Sequence, residues 1–367
     1  MIIERNLDFI MEINMGNWEA NVRKVDPYTP GEQPKDKDVI KLNTNENPYP
    51  PSPKVAEAFR NYDIKSLRKY PDPAVSDLTG KIAEKYGVSK DQVFVGVGSD
   101  DVISMCFLAF FNSDKPIIFP NITYSFYDVW AGLYGIPYIQ PALSEDMHIN
   151  KEDYFVPNGG IIFPNPNAPT GLAESLETVE EIVKHNPDVV VIVDEAYVDF
   201  GAESAVSLID KYDNLIVVQT FSKSRSMAGM RIGFAFGSAK LIKYLNDVKY
   251  SFNSYTMSGI AIAAGVAAMD DTEYFEKTTQ SIIATREASK NKLRELGFSF
   301  PDSSSNFIFA THESVPAKEL FEALKQAHIY VRYFDKPLID NYLRITIGTP
   351  EEMEALFYFL KNYLKNR

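Results

Sequence analysis

Short, continuously apolar runs recur along the first two thirds of this chain. They lie at 93–97, 117–119, 160–163, 189–193, 215–220 and 232–236, and Pro, Gly, Asn or Asp punctuate them. Runs this short, with no polar alternation, read as strands buried on both faces. Helical spacing fills the gaps between them. Val75, Leu78, Ile82 and Tyr86 share one helical face before Gly87, a good C-terminal stop. Alternating strand and helix predicts an α/β domain on a mainly parallel sheet. The pattern then changes. A long helical stretch runs from about Glu273 to Gly297. A strand at 306–310, a helix at 316–327, strands at 330–332 and 343–347, and a helix from Pro350 follow. That is an α+β order, and it places a domain boundary near residue 265. The expected division is an N-terminal arm (1–40) packing with the smaller domain, a large domain (41–265) and a small domain (266–367).

Composition narrows the function. The 367 residues suffice for two packed domains. The formal net charge is -13 and no basic run interrupts it, which argues against a nucleic-acid partner. Cys106 is the only cysteine and sits in an apolar run, so no intramolecular disulfide exists and a reducing, cytoplasmic compartment is expected. The residue reads as a buried hydrophobe. The histidines (His148, His185, His312 and His328) are scattered, so no metal site is expected. No stretch is apolar enough to span a membrane, and Met1-Ile2-Ile3-Glu4-Arg5 lacks the pattern of a signal peptide. Before Met15 the chain is either an arm or a segment preceding a later start at Met11 or Met15.

Two strand ends carry the chemistry. One apolar run ends in Val193-Asp194-Glu195-Ala196-Tyr197, and the next leads into Ser222-Lys223-Ser224 with Arg231 eight residues beyond the lysine. Strand-end acid, strand-end lysine and downstream arginine describe a pocket for a phosphorylated pyridine aldehyde, pyridoxal 5'-phosphate. A lysine amine holds the aldehyde, and the ring serves as an electron sink. Asp194 would keep the ring nitrogen protonated. Tyr197 would reach the ring's 3-oxygen. Lys223 would carry the cofactor and move a proton between substrate and cofactor carbons. Ser222 and Arg231 would bind the phosphate.

Further motifs appear in order along the chain: Leu42-Asn43-Thr44-Asn45-Glu46-Asn47-Pro48, Tyr70-Pro71-Asp72, Gly96-Val97-Gly98-Ser99-Asp100-Asp101, Asn165-Pro166-Asn167-Ala168-Pro169-Thr170-Gly171 and Tyr342-Leu343-Arg344-Ile345-Thr346-Ile347-Gly348. With the lysine and aspartate segments, the chain resembles the fold-type I pyridoxal-phosphate-dependent aminotransferases. It is most similar to the histidinol-phosphate aminotransferase family, from about Asn17 to near the C-terminus. The resemblance implies a large domain on a mainly parallel seven-stranded sheet and a smaller α+β domain. It also implies a homodimer with shared active sites.

The resemblance assigns roles to matching positions. Gly98, Ser99 and Asp100 open a helix whose N-terminus suits the cofactor phosphate. The rival is a dinucleotide-binding turn, but Asp101 stands where that fingerprint needs its third glycine. Tyr124 matches an aromatic that stacks on the ring, and Tyr70 one that reaches the partner subunit's cofactor phosphate. Most relatives carry a second asparagine where this chain has Ala168. Either Asn167 takes over the contact to the ring oxygen, or Tyr197 holds it alone.

The same resemblance implies the reaction. Arg332 and Arg344 would bind the anionic end of a phosphorylated amino substrate, with Tyr28 helping and Asn45 and Glu46 lining its other end. Two guanidinium groups suit a phosphate dianion better than one carboxylate. The implied reaction is ping-pong transamination of L-histidinol phosphate with 2-oxoglutarate, giving imidazole acetol phosphate and L-glutamate in histidine biosynthesis. Threonine-phosphate decarboxylases and aromatic amino-acid aminotransferases share the pattern and stand as alternatives. A non-catalytic module of this fold would be expected to lose Lys223 or Asp194.

Overall fold

The computed structural model describes residues 18–35 and 38–366. The alternative starts at Met11 and Met15 lie outside the described residues. In chain order the strands are β1 (Ile40–Leu42), β2 (Val93–Gly96), β3 (Ile117–Ile118), β4 (Tyr138–Ile139), β5 (Ile161–Pro164) and β6 (Val191–Asp194). They continue as β7 (Leu215–Thr220), β8 (Gly233–Gly237), β9 (Phe298–Ser299), β10 (Phe307–His312), β11 (Ile329–Tyr333) and β12 (Leu343–Thr346). Seven of them form one sheet in the order β2-β8-β7-β6-β5-β3-β4. Only β8 runs against its neighbours, pairing antiparallel with both β2 and β7.

The apolar runs end up in this sheet because both of its faces are covered. Val95, Phe163, Val193 and Val217 face one core, which the helices Ser76–Tyr86, Leu176–His185 and Gly259–Met269 complete. Phe94, Ile162, Ile192 and Ile216 face the other, under Ser99–Phe110, Tyr127–Tyr134 and Ala239–Phe252. Alternate residues of one strand thus enter different cores, and no polar face remains to show as a period of two. Cys106 lies in the second core, where burial pushes its thiol well above the ordinary range.

Register then places the chemistry. Pro164 sits opposite Asp194, and Asp194 opposite Val218, so the carboxyl ends of β5, β6 and β7 share one edge. Ligands of open parallel sheets bind outside such strand ends.

The second sheet has five strands in the order β1-β11-β12-β10-β9. Its core gathers Leu42, Phe307, Ile345, Leu320 and Leu356. The chain reaches it later than the expected boundary near 265. That position falls inside the helix Gly259–Met269, whose Ala261, Ala264 and Met269 pack in the large sheet's core. The following helix, Thr272–Glu295, contributes Ile282 and Leu293 to the second core. At the other end, β1 pairs in parallel with β11, so residues 40–42 belong to the smaller sheet. Among the described residues, no helix is long and apolar enough to cross a membrane.

Candidate active site

Lys223, Asp194, Tyr197, Ser222, Arg231, Ser99, Asp100, Tyr124 and Glu46 all line one cavity of about 160 Å³. Distant parts of the sequence meet there because β2, β6 and β7 end at the same edge of the sheet. Lys223 follows β7 by three residues, and its Nζ donates to the Thr44 carbonyl at 3.2 Å. Asn47 ties the lysine loop down, donating to the carbonyls of Lys223 (3.0 Å) and Ser224 (3.2 Å). Thr220 donates to the Ser222 hydroxyl at 3.0 Å, which fixes the turn out of β7.

Asp194 is 4% exposed. It accepts from the Tyr127 hydroxyl at 2.8 Å and the Ala196 amide at 3.2 Å. Burial pushes its carboxyl up to about 6, against the pull of those bonds and of Lys223. Two neutral donors do not replace the lost hydration of a carboxylate, so a cation is favoured beside it.

The helix Ser99–Phe110 points its N-terminus at the same cavity, where unpaired amides favour an anion. Two glycines permit the approach. Gly98 has φ 90, and a Cβ there would lie 2.5 Å from Arg231 Nη2. A Cβ on Gly233 would lie 2.3 Å from the Ser99 amide nitrogen. Arg231 Nη2 is 3.1 Å from Asp100 Oδ2, and Asp100 Oδ1 accepts from the Tyr124 hydroxyl at 2.9 Å. Glu46 accepts from Thr44 at 2.6 Å and pairs with Lys41. Burial raises its carboxyl, but the Lys41 and Thr44 bonds outweigh burial and hold it below the usual range.

Arg332, Arg344, Tyr28 and Tyr124 line a second cavity of about 80 Å³, which shares Tyr124 and Ala168 with the first. The two arginines are paired across β11 and β12. Arg344 donates to the Asn43 carbonyl at 3.0 Å, while its Nε is buried without a partner. Burial, together with the neighbouring Arg332 charge, lowers the Arg344 guanidinium below its ordinary range. Phe334 lies 5.4 Å from Arg332 and 5.5 Å from Arg344. Tyr28 stacks on Phe126 at 4.3 Å.

Three expected site residues lie elsewhere. Asn167 is outside both cavities; its amide donates to the Ile122 carbonyl and to Thr170, each at 3.0 Å. Ala168 forms the wall instead. Between Asn167 and Tyr197, only Tyr197 faces the cavity. Asn45 sits behind Tyr197, donating to its hydroxyl at 2.9 Å. Tyr70 is 81% exposed, stacks on Tyr255 and lines neither cavity.

Tyr127, Thr44 and Asn47 were missed from the sequence. Tyr127 stands in a run of aromatics that reads as core packing. Its signal was the hydroxyl, because a buried tyrosine needs a polar partner. Nothing local marks Thr44, which contributes a backbone carbonyl.

Known proteins bear on this geometry directly. Residues 37–360 match the model of the aminotransferase class I and II family. A histidinol-phosphate aminotransferase of Brachyspira hyodysenteriae is 52% identical over 345 residues, 94% of this chain and 98% of that protein. The chain belongs to the histidinol-phosphate aminotransferase family. Histidinol-phosphate aminotransferase 2 of Dechloromonas aromatica is 54% identical over 343 residues, 92% of this chain and 96% of that protein. The fold matches histidinol-phosphate aminotransferase from Sinorhizobium meliloti, solved in complex with pyridoxal-5'-phosphate. That match has a TM-score of 0.80 at 21% identity and covers 89% of this chain and 91% of that one.

The chain is therefore a pyridoxal-phosphate-dependent aminotransferase with the fold-type I architecture. Its residues fit the cofactor. The under-compensated Asp194 suits a protonated ring nitrogen, the glycine-opened helix end suits a phosphate, and the Lys223 amine has one backbone acceptor. Bound pyridoxal phosphate supplies an aldehyde that captures the substrate amine and a ring that takes up electron density.

Proposed function

We propose that this aminotransferase acts on L-histidinol phosphate, with 2-oxoglutarate and L-glutamate as the other keto–amino pair, in histidine biosynthesis. One observation carries the reading. Arg332 and Arg344 face each other across two strands, and neither forms an ion pair with a carboxylate among the described residues. Two adjacent guanidiniums repel each other, so an anion with two charges is the group that suits them. Tyr28 and Tyr124 close the cavity beside them. The same pair would accept the distal carboxylate of 2-oxoglutarate. The roles follow: Lys223 holds the cofactor and moves the proton, Asp194 holds the ring-nitrogen proton, Ser222, Arg231 and the Ser99 helix end hold the phosphate, and Glu46 lines the far end of the substrate.

A single-turnover titration tests the substrate. Cofactor-loaded protein is mixed with L-histidinol phosphate, L-phenylalanine or L-threonine phosphate while the visible band is followed. Histidinol phosphate is expected to half-saturate the bleaching at a concentration roughly 100-fold below that of phenylalanine, the scale of one or two charge-assisted hydrogen bonds. Arg332→Gln is expected to abolish most of that preference. Preferential bleaching by phenylalanine would reject the phosphate reading and retain the enzyme class. Carbon dioxide release from threonine phosphate without bleaching would favour the decarboxylase alternative.

We also propose a homodimer with shared sites in the cytoplasm. Tyr70 and Tyr255 stack with ring centroids 4.6 Å apart while 81% and 46% exposed, and Leu67, three residues before Tyr70, is 55% exposed. An exposed apolar surface of this kind suits an interface. Sedimentation is expected to give twice the chain mass, and Tyr70→Ala a weaker hold on the cofactor phosphate. A monomer with full cofactor affinity would contradict this. The division at 40 and 265 stands as a proposal, with the passage between sheets after Met269 as its nearest structural counterpart.

A further inference from the structure

Tyr197 does not meet the cavity alone. Its hydroxyl accepts from Asn45 Nδ2 at 2.9 Å, and among the described residues it has no other hydrogen-bond partner. Asn45 is 1% exposed and held from three further sides. Its amide N–H donates to Thr346 Oγ1 at 3.0 Å, Thr346 Oγ1 donates back to Asn45 Oδ1 at 3.0 Å, and Asn306 Nδ2 donates to its carbonyl at 3.0 Å. These bonds set the sense of the Asn45 amide. Turned over, its NH₂ would face a hydroxyl already accepting the backbone N–H. The Thr346 proton would then be stranded in a residue 2% exposed.

A phenol carries one proton. Because the Tyr197 oxygen accepts from Asn45, that proton is free to point into the cavity. On the neighbouring wall Ala168 has no donor, and the Asn167 amide is used elsewhere.

We propose that Asn45 is a positioning residue, committing the single Tyr197 proton to the ring oxygen of the bound cofactor and so replacing the side-chain donor that position 168 lacks. The inference rests on the pyridoxal-phosphate reading of the cavity. A donor to an anionic oxygen stabilises the unprotonated form of the cofactor–lysine linkage and lowers the pH at which that linkage titrates. Reversing the Asn45 bond therefore raises the midpoint.

The test is a pH titration of the visible absorption of the cofactor-loaded protein. Asn45→Asp keeps the size and the tolerance of φ 57, but its carboxylate only accepts, so the Tyr197 proton turns toward it. Its midpoint is expected to rise by about one unit, a tenfold change in proton affinity. Asn45→Gly, which also tolerates this φ, is expected to shift the same way by less and carries the test if the aspartate variant does not fold. Both are then repeated on Tyr197→Phe, where neither is expected to move the midpoint by more than roughly 0.3 unit, because independent sites add and coupled ones do not. A plain charge effect or a loosened fold would persist in the phenylalanine background and overturn the proposal. Unchanged midpoints in both single variants would do the same. Protein that takes up no cofactor, and shows no visible band, would instead fail the cofactor reading.

Discussion

Replacing Lys223 with alanine is expected to abolish turnover, by about 10⁴-fold or more, and to leave the fold intact. The loss is large because one amine serves two purposes. In the proposed roles it holds the cofactor in place and carries the proton between substrate and cofactor carbons; a positioned proton carrier alone is worth about 10²–10⁴-fold. The fold survives because the side chain contributes little to packing. Its Nζ makes one hydrogen bond, to the Thr44 carbonyl, and lies 5.7 Å from the Tyr197 ring. Losing one such bond costs about 1 kcal/mol. Lys223→Arg restores charge but no amine able to lose its proton, so activity stays lost. Stopped-flow turnover beside a thermal melt checks both halves. A melt that collapses with activity would make Lys223 a structural residue.

Asp194→Asn separates function from stability in opposite directions. Turnover is expected to fall by roughly 10³-fold, because the neutral amide cannot hold a proton on the ring nitrogen. The cofactor-free protein is expected to become more stable at pH 8. Folded Asp194 titrates at about 6, above the ordinary 3.8. Below pH 4 both folded and unfolded states are protonated and the group costs nothing. Between pH 4 and 6 the unfolded state ionises first, so stability falls as pH rises; above 6 the cost is complete. A rise of about two units corresponds to about 3 kcal/mol at full weight. Asparagine removes that cost but presents an NH₂ to one of the two donors, Tyr127 or Ala196, returning about 1 kcal/mol. A net gain of about 2 kcal/mol at pH 8, turning into a loss of about 1 kcal/mol by pH 4, is the expected result of urea unfolding. Equal stability at both pH values would mean that burial does not strain Asp194. Glu195, pushed up to about 7 by its own burial, supplies the same slope in both proteins and cancels in the difference.

The sequence carried the large sheet well because burial on both faces leaves a strong signal. β7 was delimited residue for residue, and β2, β5, β6 and β8 within about two residues of their ends. The strands it hid are short or exposed. β4 is two residues long with both side chains exposed, β9 has two residues, and β1 has three and draws its stability from a partner nearly 300 positions away. A boundary at 265 looked natural because the long polar helix begins soon after. The small-residue helix before it belongs to the large core through Ala261, Ala264 and Ala268, which carry little hydrophobic signal each. In the site, residues at strand ends were legible because motif and topology coincide there. Partners reached across the fold were not. The motif places Asn45 along the substrate, yet its side chain is spent on Tyr197 and Thr346. The chain position of Asn167, next to Ala168, suggested a substitute donor, but the backbone there turns its amide toward Ile122 and Thr170.

The most direct measurement is to reduce the cofactor-loaded protein with borohydride, digest it and locate the retained pyridoxyl group by mass spectrometry. The account predicts that the group is found on Lys223 alone, within the peptide that follows β7. A pyridoxyl group on any other lysine, or on none, would contradict it.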